Sequence, residues 1–314
     1  MKTTRAIELF IKHKMSLGHV FTTDARVLRR FCGFVGPETP LRKITTEVVS
    51  TYLDENEAAV ATYWARQYHA LKGFYGFALQ QSWATHSPLP RCRACRATFA
   101  PHIFSRAEIR LLLDGTATYQ TILQRLQPDT LRMMLLLLYG TGLRISEAVS
   151  LTEADVDLDH GMLTIQLTKF YKTRLVGVGG DLCQALKDYR RKRNARNPAR
   201  DNSAAFFTCK NGAPVSDHLI RNAFVRLRDH VGLKRGDAKQ QPRLHDLRHT
   251  FAVHRLVSWY STGADVQRLL PLLATHLGHV GIESTKHYLT MTPELLEQAN
   301  IRFGQYANGE ENHA

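Results

Sequence analysis

Leu131-Arg132-Met133-Met134-Leu135-Leu136-Leu137-Leu138-Tyr139-Gly140 reads as a buried helix that ends at its glycine, and Thr141-Gly142-Leu143-Arg144-Ile145-Ser146-Glu147 comes directly after it. A helix apolar nearly all round belongs inside a domain, because a surface helix keeps one polar face. Its apolar part, Met133 to Tyr139, is far shorter than the ~20 residues that span a bilayer. Downstream, Met162 to Leu167 and Thr173 to Val178 are strand-like, and Thr168-Lys169-Phe170-Tyr171-Lys172 between them makes a hairpin. After the hairpin the chain reads as helical almost to its end, with Pro293 opening a last helix to about Gly304. Upstream, Ser105-Arg106-Ala107-Glu108 has the pattern of a capping box heading a helix.

Residues 1–86 also read as helical. Ile7, Phe10, Ile11 and then Val27, Leu28, Phe31 recur at steps of three and four, the period of one buried helix face. Val60 to Gln80 carries Tyr63, Trp64, Tyr68, Leu71, Phe74, Tyr75 and Leu79, a stripe that reads as packing core, with a base-stacking platform as the alternative. Thr22-Thr23-Asp24 and Thr45-Thr46-Glu47 offer N-caps. Lys12, Lys14, Arg29, Arg30, Arg42, Lys43, Arg66 and Lys72 face either phosphates or water. From 87 to 104 the texture changes. Pro88, Pro90 and Pro101 break regular structure while Arg91, Arg93 and Arg96 cluster, as in a basic linker that crosses a DNA backbone or hangs free. The expected plan is a helical domain over 1–86, the linker 87–104, a second domain over 105–306 and a flexible tail over 307–314. The fold class is mainly α with a small antiparallel β-sheet.

A chain of 314 residues accommodates two such domains. Its net charge of +14 and isoelectric point near 9.7 favour an acidic polymer as partner. Met1-Lys2-Thr3-Thr4-Arg5 leads into a mixed stretch without a signal-peptide core, so a cytoplasmic location is expected. Five cysteines, at 32, 92, 95, 183 and 209, are odd in number and irregular in spacing, which argues against a disulfide framework. Cys92 and Cys95 have the spacing of a zinc knuckle but no second pair, so they read as free thiols. His245 and His249 stand four apart, as on a zinc-binding helix, yet neighbouring arginines would repel a cation. Asp155, Asp157 and Asp159 suit a turn into a strand better than a two-metal site. No metal or cofactor is expected. Arg190-Arg191-Lys192-Arg193 reads as a basic helix end, facing DNA or solvent.

The chemistry lies in residues scattered over the second half. Arg144 is followed by His245-Asp246-Leu247-Arg248-His249, then Leu277-Gly278-His279, and Tyr288 stands nine positions after His279. Transfer of a phosphodiester needs a nucleophile, positive charge on the non-bridging oxygens and an acid for the leaving alkoxide. Arginine suits the second task, since its planar fork donates two hydrogen bonds to phosphate and stays charged. Tyrosine can be the nucleophile once its proton is removed or shared, its ordinary pKa being about 10.

On these residues the chain resembles the tyrosine recombinases of the phage-integrase type, strongly from about 105 to 300 and more loosely before. The resemblance implies a helical core-binding domain followed by a mixed catalytic domain, the two closing as a clamp on duplex DNA. It implies Arg144 and Arg248 as the phosphate clamp, His245 and His279 as groups that orient and neutralise the phosphate, and Tyr288 as nucleophile, giving a 3′-phosphotyrosine without ATP. His245 would also assist proton movement. The general acid would be a lysine of the hairpin: Lys169 matches by its distance to Arg174 but falls one residue late from Arg144, and Lys172 competes. His249, His254, His276 and His287 match no such role and read as structural. Four subunits around two DNA sites are implied, with accessory DNA-bending proteins as further partners, and the C-terminal segment from Thr290 to Leu296 has a mobile-element flavour. A type IB topoisomerase, relaxing supercoils as a monomer, and a catalytically silent DNA-binding regulator are the rival readings.

Overall fold

In the computed structural model the described residues are 1–19, 21–55, 61–93, 101–118, 125–166, 173–234 and 241–278, with 285, 288, 297 and 300. The chain divides near residue 100 into two compact units, each with its own apolar core.

Four helices are described in the first unit: α1 (Thr3–Ser16), α2 (Thr22–Val35), α3 (Thr46–Asp54) and α4 (Ala61–Gln80). Side chains three and four apart share a helix face. Ile7, Phe10 and Ile11 of α1 and Leu28 and Phe31 of α2 are accordingly buried with Leu71, Phe74 and Tyr75 of α4. The aromatic stripe of α4 is thus core, Phe10 meeting Phe74 edge-on at 5.8 Å. The α2 cap position falls to Phe21 rather than a threonine, and Thr45 flanks α3 without a side-chain cap bond. Arg29 pairs with Glu8 at 2.8 Å and Arg30 donates to the Tyr63 hydroxyl at 2.8 Å, so these two cations are already engaged. Residues 87–93 lie against this unit: Tyr68 donates to the Pro90 carbonyl at 3.2 Å, and Arg93 pairs with Asp54 at 2.9 Å. Cys92 is an exposed free thiol; Cys95 lies outside the described residues.

The second unit contains α5 (Arg106–Thr118), α6 (Pro128–Thr141), α7 (Ile145–Val149), a small sheet, α8 (Gly180–Arg196), α9 (Asp217–His230), α10 (Asp246–Ser261) and α11 (Val266–Leu277). The capping box before α5 forms, Ser105 N–H donating to Glu108 at 2.7 Å and Glu108 N–H to Ser105 Oγ at 3.2 Å. Helix α6 packs against α5, α8 and α10, which is why Met133, Met134, Leu135, Leu137 and Leu138 are all buried. It runs one residue past the expected stop. Gly140 stays helical and lets Leu182 of α8 approach closely, since a Cβ there would come within 2.7 Å of that side chain. The helix ends instead at Gly142, left-handed at φ 65°, whose N–H bonds the Leu138 carbonyl.

The strands β1 (Val156–Asp157), β2 (Met162–Ile165) and β3 (Arg174–Gly177) form an antiparallel sheet in that order, with Leu163 opposite Val176 and Ile165 opposite Arg174. Both expected strands are present but shorter, and β1 adds a third. Residues 167–172, with Lys169 and Lys172, lie outside the described residues. Asp157 accepts from the N–H groups of Asp159 (3.1 Å) and His160 (3.0 Å), building the turn expected of this acidic stretch.

Beyond β3 the chain departs from two expectations. Residues 197–216 form no helix or strand, so the reading of continuous helix is corrected there; they bury Phe206 and Phe207 and are tied by bridges of Ala205 to Thr152 and Thr208 to Pro214. Arg193 is also not on an outward face. It shares the inward stripe of Leu186 and Tyr189 and pairs with Glu153. Among the described residues no helix is long and apolar enough to cross a membrane, and no cluster of three His, Cys, Asp or Glu is placed to hold a metal.

Candidate active site

Arg144 sits in extended backbone between the stop of α6 and the start of α7. Its N–H donates to Glu147 at 2.9 Å, its Nη1 to the same carboxylate at 2.8 Å, and its Nη2 to the Gly278 carbonyl at 3.0 Å. Arg248, in the first turn of α10, is only 3% exposed. Its Nη1 donates to the Gly142 carbonyl at 2.7 Å and its Nη2 to the Leu277 carbonyl at 2.6 Å. Arg174 begins β3. It donates from Nε to the His276 carbonyl at 2.9 Å and grips Glu147 with both Nη atoms, at 3.0 and 2.8 Å.

Three arginines from three elements therefore take three consecutive carbonyls, of His276, Leu277 and Gly278. The last carbonyls of a helix lack intrahelical partners and carry the negative end of its dipole, so α11 draws cations to its end. Glu147 bridges two of the three. Burial opposes its ionisation, but the hydrogen bonds and charge of Arg174 and the bonds from Arg144 outweigh it and hold the carboxyl at about 2. Arg248 is lowered to about 10 by burial and then by the Arg144 charge, and stays cationic at neutral pH.

Tyr288 is buried with its hydroxyl 3.2 Å from His249 Nδ1. Burial raises the phenol pKa, opposed by the charge of Arg248, by a hydrogen bond to Arg248 and by the charge of Arg144. His245 immediately precedes α10 and meets His249 edge to face at 5.0 Å. Burial first, then His249, Arg248 and Arg243, push His245 down to about 4, so it is neutral near pH 7. Arg144, the pair His245 and Arg248, and Tyr288 thus come from three separate stretches into one locality. His279, Lys169 and Lys172 lie outside the described residues.

Two contributors and one further contact emerge from this geometry. Glu147 and Arg174 hold the arginines in place; the only trace of this in the chain is the three-residue step from Arg144 to Glu147. His249, read from the sequence as structural, touches the Tyr288 hydroxyl. His254, bonded to the Tyr139 hydroxyl at 3.0 Å, and His276, bonded to the Thr141 carbonyl at 2.8 Å, serve the scaffold. His287 is outside the described residues.

Such a cationic, largely dry locality with a buried phenol is suited to phosphoryl transfer from an anionic diester. The chain belongs to the phage integrase family, the tyrosine recombinases, whose sequence profile matches residues 107–294. It is 34% identical over 307 residues to the "Putative integrase/recombinase y4rB" of Sinorhizobium fredii (strain NBRC 101917 / NGR234), covering 96% of this chain and 97% of that protein. It is 32% identical over 252 residues to the tyrosine recombinase XerC of Chlorobaculum tepidum, covering 75% and 70%. In fold it is similar to the Tn1549 transposon integrase solved with transposon right end DNA, with a TM-score of 0.72, 17% identity, and coverage of 98% of this chain and 100% of that one. A lambda integrase dimer bound to a COC′ core site gives a TM-score of 0.66 at 16% identity, covering 93% and 97%.

Proposed function

We propose that the protein cuts and rejoins duplex DNA at specific sites, with Tyr288 as the nucleophile. It is a recombinase by family, and the residue roles rest on the chemistry. Arg144 and Arg248 hold the non-bridging oxygens of the scissile phosphate, and His245 and His279 orient it. Attack by the Tyr288 oxygen forms a 3′-phosphotyrosine, and Lys169, with Lys172 as the alternative, protonates the departing 5′-oxygen. The phosphodiester energy is kept in the covalent link, so rejoining needs no ATP. The observation that carries this reading is the buried Tyr288 hydroxyl, set beside Arg248 and under the charge of Arg144.

The same reading makes residues 1–86 a core-binding domain, 87–104 a basic linker and 105–306 the catalytic domain. Four copies would exchange strands between two sites, and the substrates would be the ends of a mobile element. The test is Tyr288→Phe, which removes one oxygen and little shape. Binding to a target duplex should stay within a few-fold of the natural protein while covalent adducts vanish from denaturing gels. Adducts persisting in the variant would show that another residue attacks.

A further inference from the structure

One side chain at the nucleophile has no task in this scheme. His249 stands one turn beyond His245 on α10, and its Nδ1 is within hydrogen-bonding distance of the Tyr288 oxygen, at 3.2 Å. The two rings are tilted by 57° with centroids 5.6 Å apart, so the nitrogen meets the hydroxyl rather than stacking on the phenyl face. A phenol donates to Nδ1 only when the imidazole carries its proton on Nε2, and in that tautomer Nδ1 is a base.

We infer that His249 is the catalytic base that takes the phenolic proton of Tyr288 during cleavage and returns it during rejoining. The inference rests on Tyr288 being the nucleophile. In cleavage the Oη–H bond breaks and its proton passes to Nδ1, the Oη–P bond forms, and the P–O5′ bond breaks. The departing oxygen takes a proton from the hairpin lysine. The diester keeps its single negative charge and His249 becomes imidazolium. In rejoining the 5′-hydroxyl attacks, returning its proton to the lysine, and the leaving phenolate recovers its own from His249. No metal or redox partner enters the balance.

The surroundings of Tyr288 create the need for a base. A phenol is protonated at neutral pH, and burial of Tyr288 makes its ionisation harder still. His245 is poorly suited, because burial and its cationic neighbours hold it at about 4. His245 lies beside His249 with ring centroids 5.0 Å apart, Arg248 immediately precedes it in the chain, and the charges of Arg248 and Arg144 bear on Tyr288. Asp246 is turned to Arg243, at 3.0 Å. The arginines favour phenolate as they favour phosphate, so they ease loss of the phenolic proton while opposing a positive charge on His249.

The experiment uses the full chain and a duplex with sulfur in place of the bridging 5′-oxygen, a leaving group that needs no acid. Single-turnover adduct formation is measured across pH. In the natural protein the rate should rise with pH through one imidazole titration and level off. His249→Asn, which keeps an acceptor near Nδ1 but no base, should cut the rate by about 10²–10⁴-fold and abolish that inflection. An unchanged rate and profile in His249→Asn would overturn the proposal. Should that variant fail to fold or to bind DNA, 2,3-difluorotyrosine at position 288 of the otherwise natural chain decides. An inflection that stays in place supports His249 as base, whereas one that moves with the more acidic phenol overturns it. Adducts in Tyr288→Phe would instead strike at the nucleophile itself, so the two failures are separable.

Discussion

Glu147 supports the arginines without being placed at the reacting tyrosine. Its carboxylate is 8% exposed and accepts from Arg144 and from both Nη atoms of Arg174. Removing one partner of a buried ion pair typically costs about 3–5 kcal/mol, because the remaining charge is stranded. Glu147→Gln should destabilise the protein by about that much and slow cleavage, since an amide N–H₂ faces a guanidinium where an oxygen was. The pH dependence gives a second readout. Glu147 is held at about 2 when folded, below the ordinary carboxylate value, so its contribution is complete above about pH 4.3 and is lost as pH falls through 2. His245 acts in the adjoining window. Held near 4 when folded, it binds a proton more readily when unfolded, so stability falls as pH drops from about 6.5 to 4. Urea midpoints of the natural protein should therefore decline continuously from pH 6.5 to 2. In Glu147→Gln the lower half of that decline should flatten; an identical decline in the variant would mean the carboxylate does not carry the acid sensitivity.

Two helices end in the same way at the site, and their ends are what aim the arginines. Gly142 stops α6 and Gly278 stops α11, both left-handed, and their carbonyls receive Arg248 and Arg144 respectively. At Gly278 a Cβ would also lie 2.9 Å from Arg174 Nη1. Gly278→Ala should thus combine a backbone cost of about 1–2 kcal/mol with displacement of the guanidinium. Gly232 provides the control, with φ 75° and nothing within 4 Å of its would-be Cβ. Both alanine variants should melt lower, but only Gly278→Ala should slow single-turnover cleavage by tenfold or more. Equal cleavage in the two would detach the α11 end from the chemistry. The elements themselves were unevenly legible in the chain. Helix α4 was read from its stripe through to its end at Gln80, since periodic burial leaves a periodic sequence. Gly140 misled because a glycine chosen for close packing looks like one chosen to end a helix. Strand β1, two residues long, is too short to show alternation, and Arg193 hides an inward position behind a basic run. At the site, Arg144, His245, Arg248 and Tyr288 were singled out through the family resemblance, and the structure brings these four into one locality. The roles of Glu147, Arg174 and His249 could not be read in this way, because each depends on a contact with a residue distant in the chain or with a backbone carbonyl that no residue type announces.

At the scale of the whole chain, the proposed mechanism has side-chain charge supply what metal ions supply in many other DNA-cutting enzymes. The surplus of 42 lysines and arginines over 28 aspartates and glutamates is far larger than the site needs, and much of it can serve the phosphate backbone. Each phosphate so neutralised releases condensed counterions, giving a slope of about −0.9 per contact in a plot of log affinity against log salt. Tyr288→Phe isolates binding from cleavage, and its affinity for a target duplex should fall steeply between roughly 50 and 200 mM salt, by about 10³–10⁵-fold if 6–10 phosphates are held. Cleavage should behave differently. Arg248 is nearly fully buried and locked to the Gly142 and Leu277 carbonyls, so the charge proposed to act on the scissile phosphate is fixed in place and shielded from bulk ions. Once DNA is saturating, the single-turnover rate of the natural protein should therefore change less than a few-fold over the same salt range. It should also be unaffected by excess EDTA and by the absence of ATP. A strict magnesium requirement at saturating DNA would mean that the arginines do not suffice. A cleavage rate that tracks salt as steeply as binding would mean that the clamp is assembled only when the outer phosphate contacts are made, rather than held ready by the carbonyls of α6 and α11.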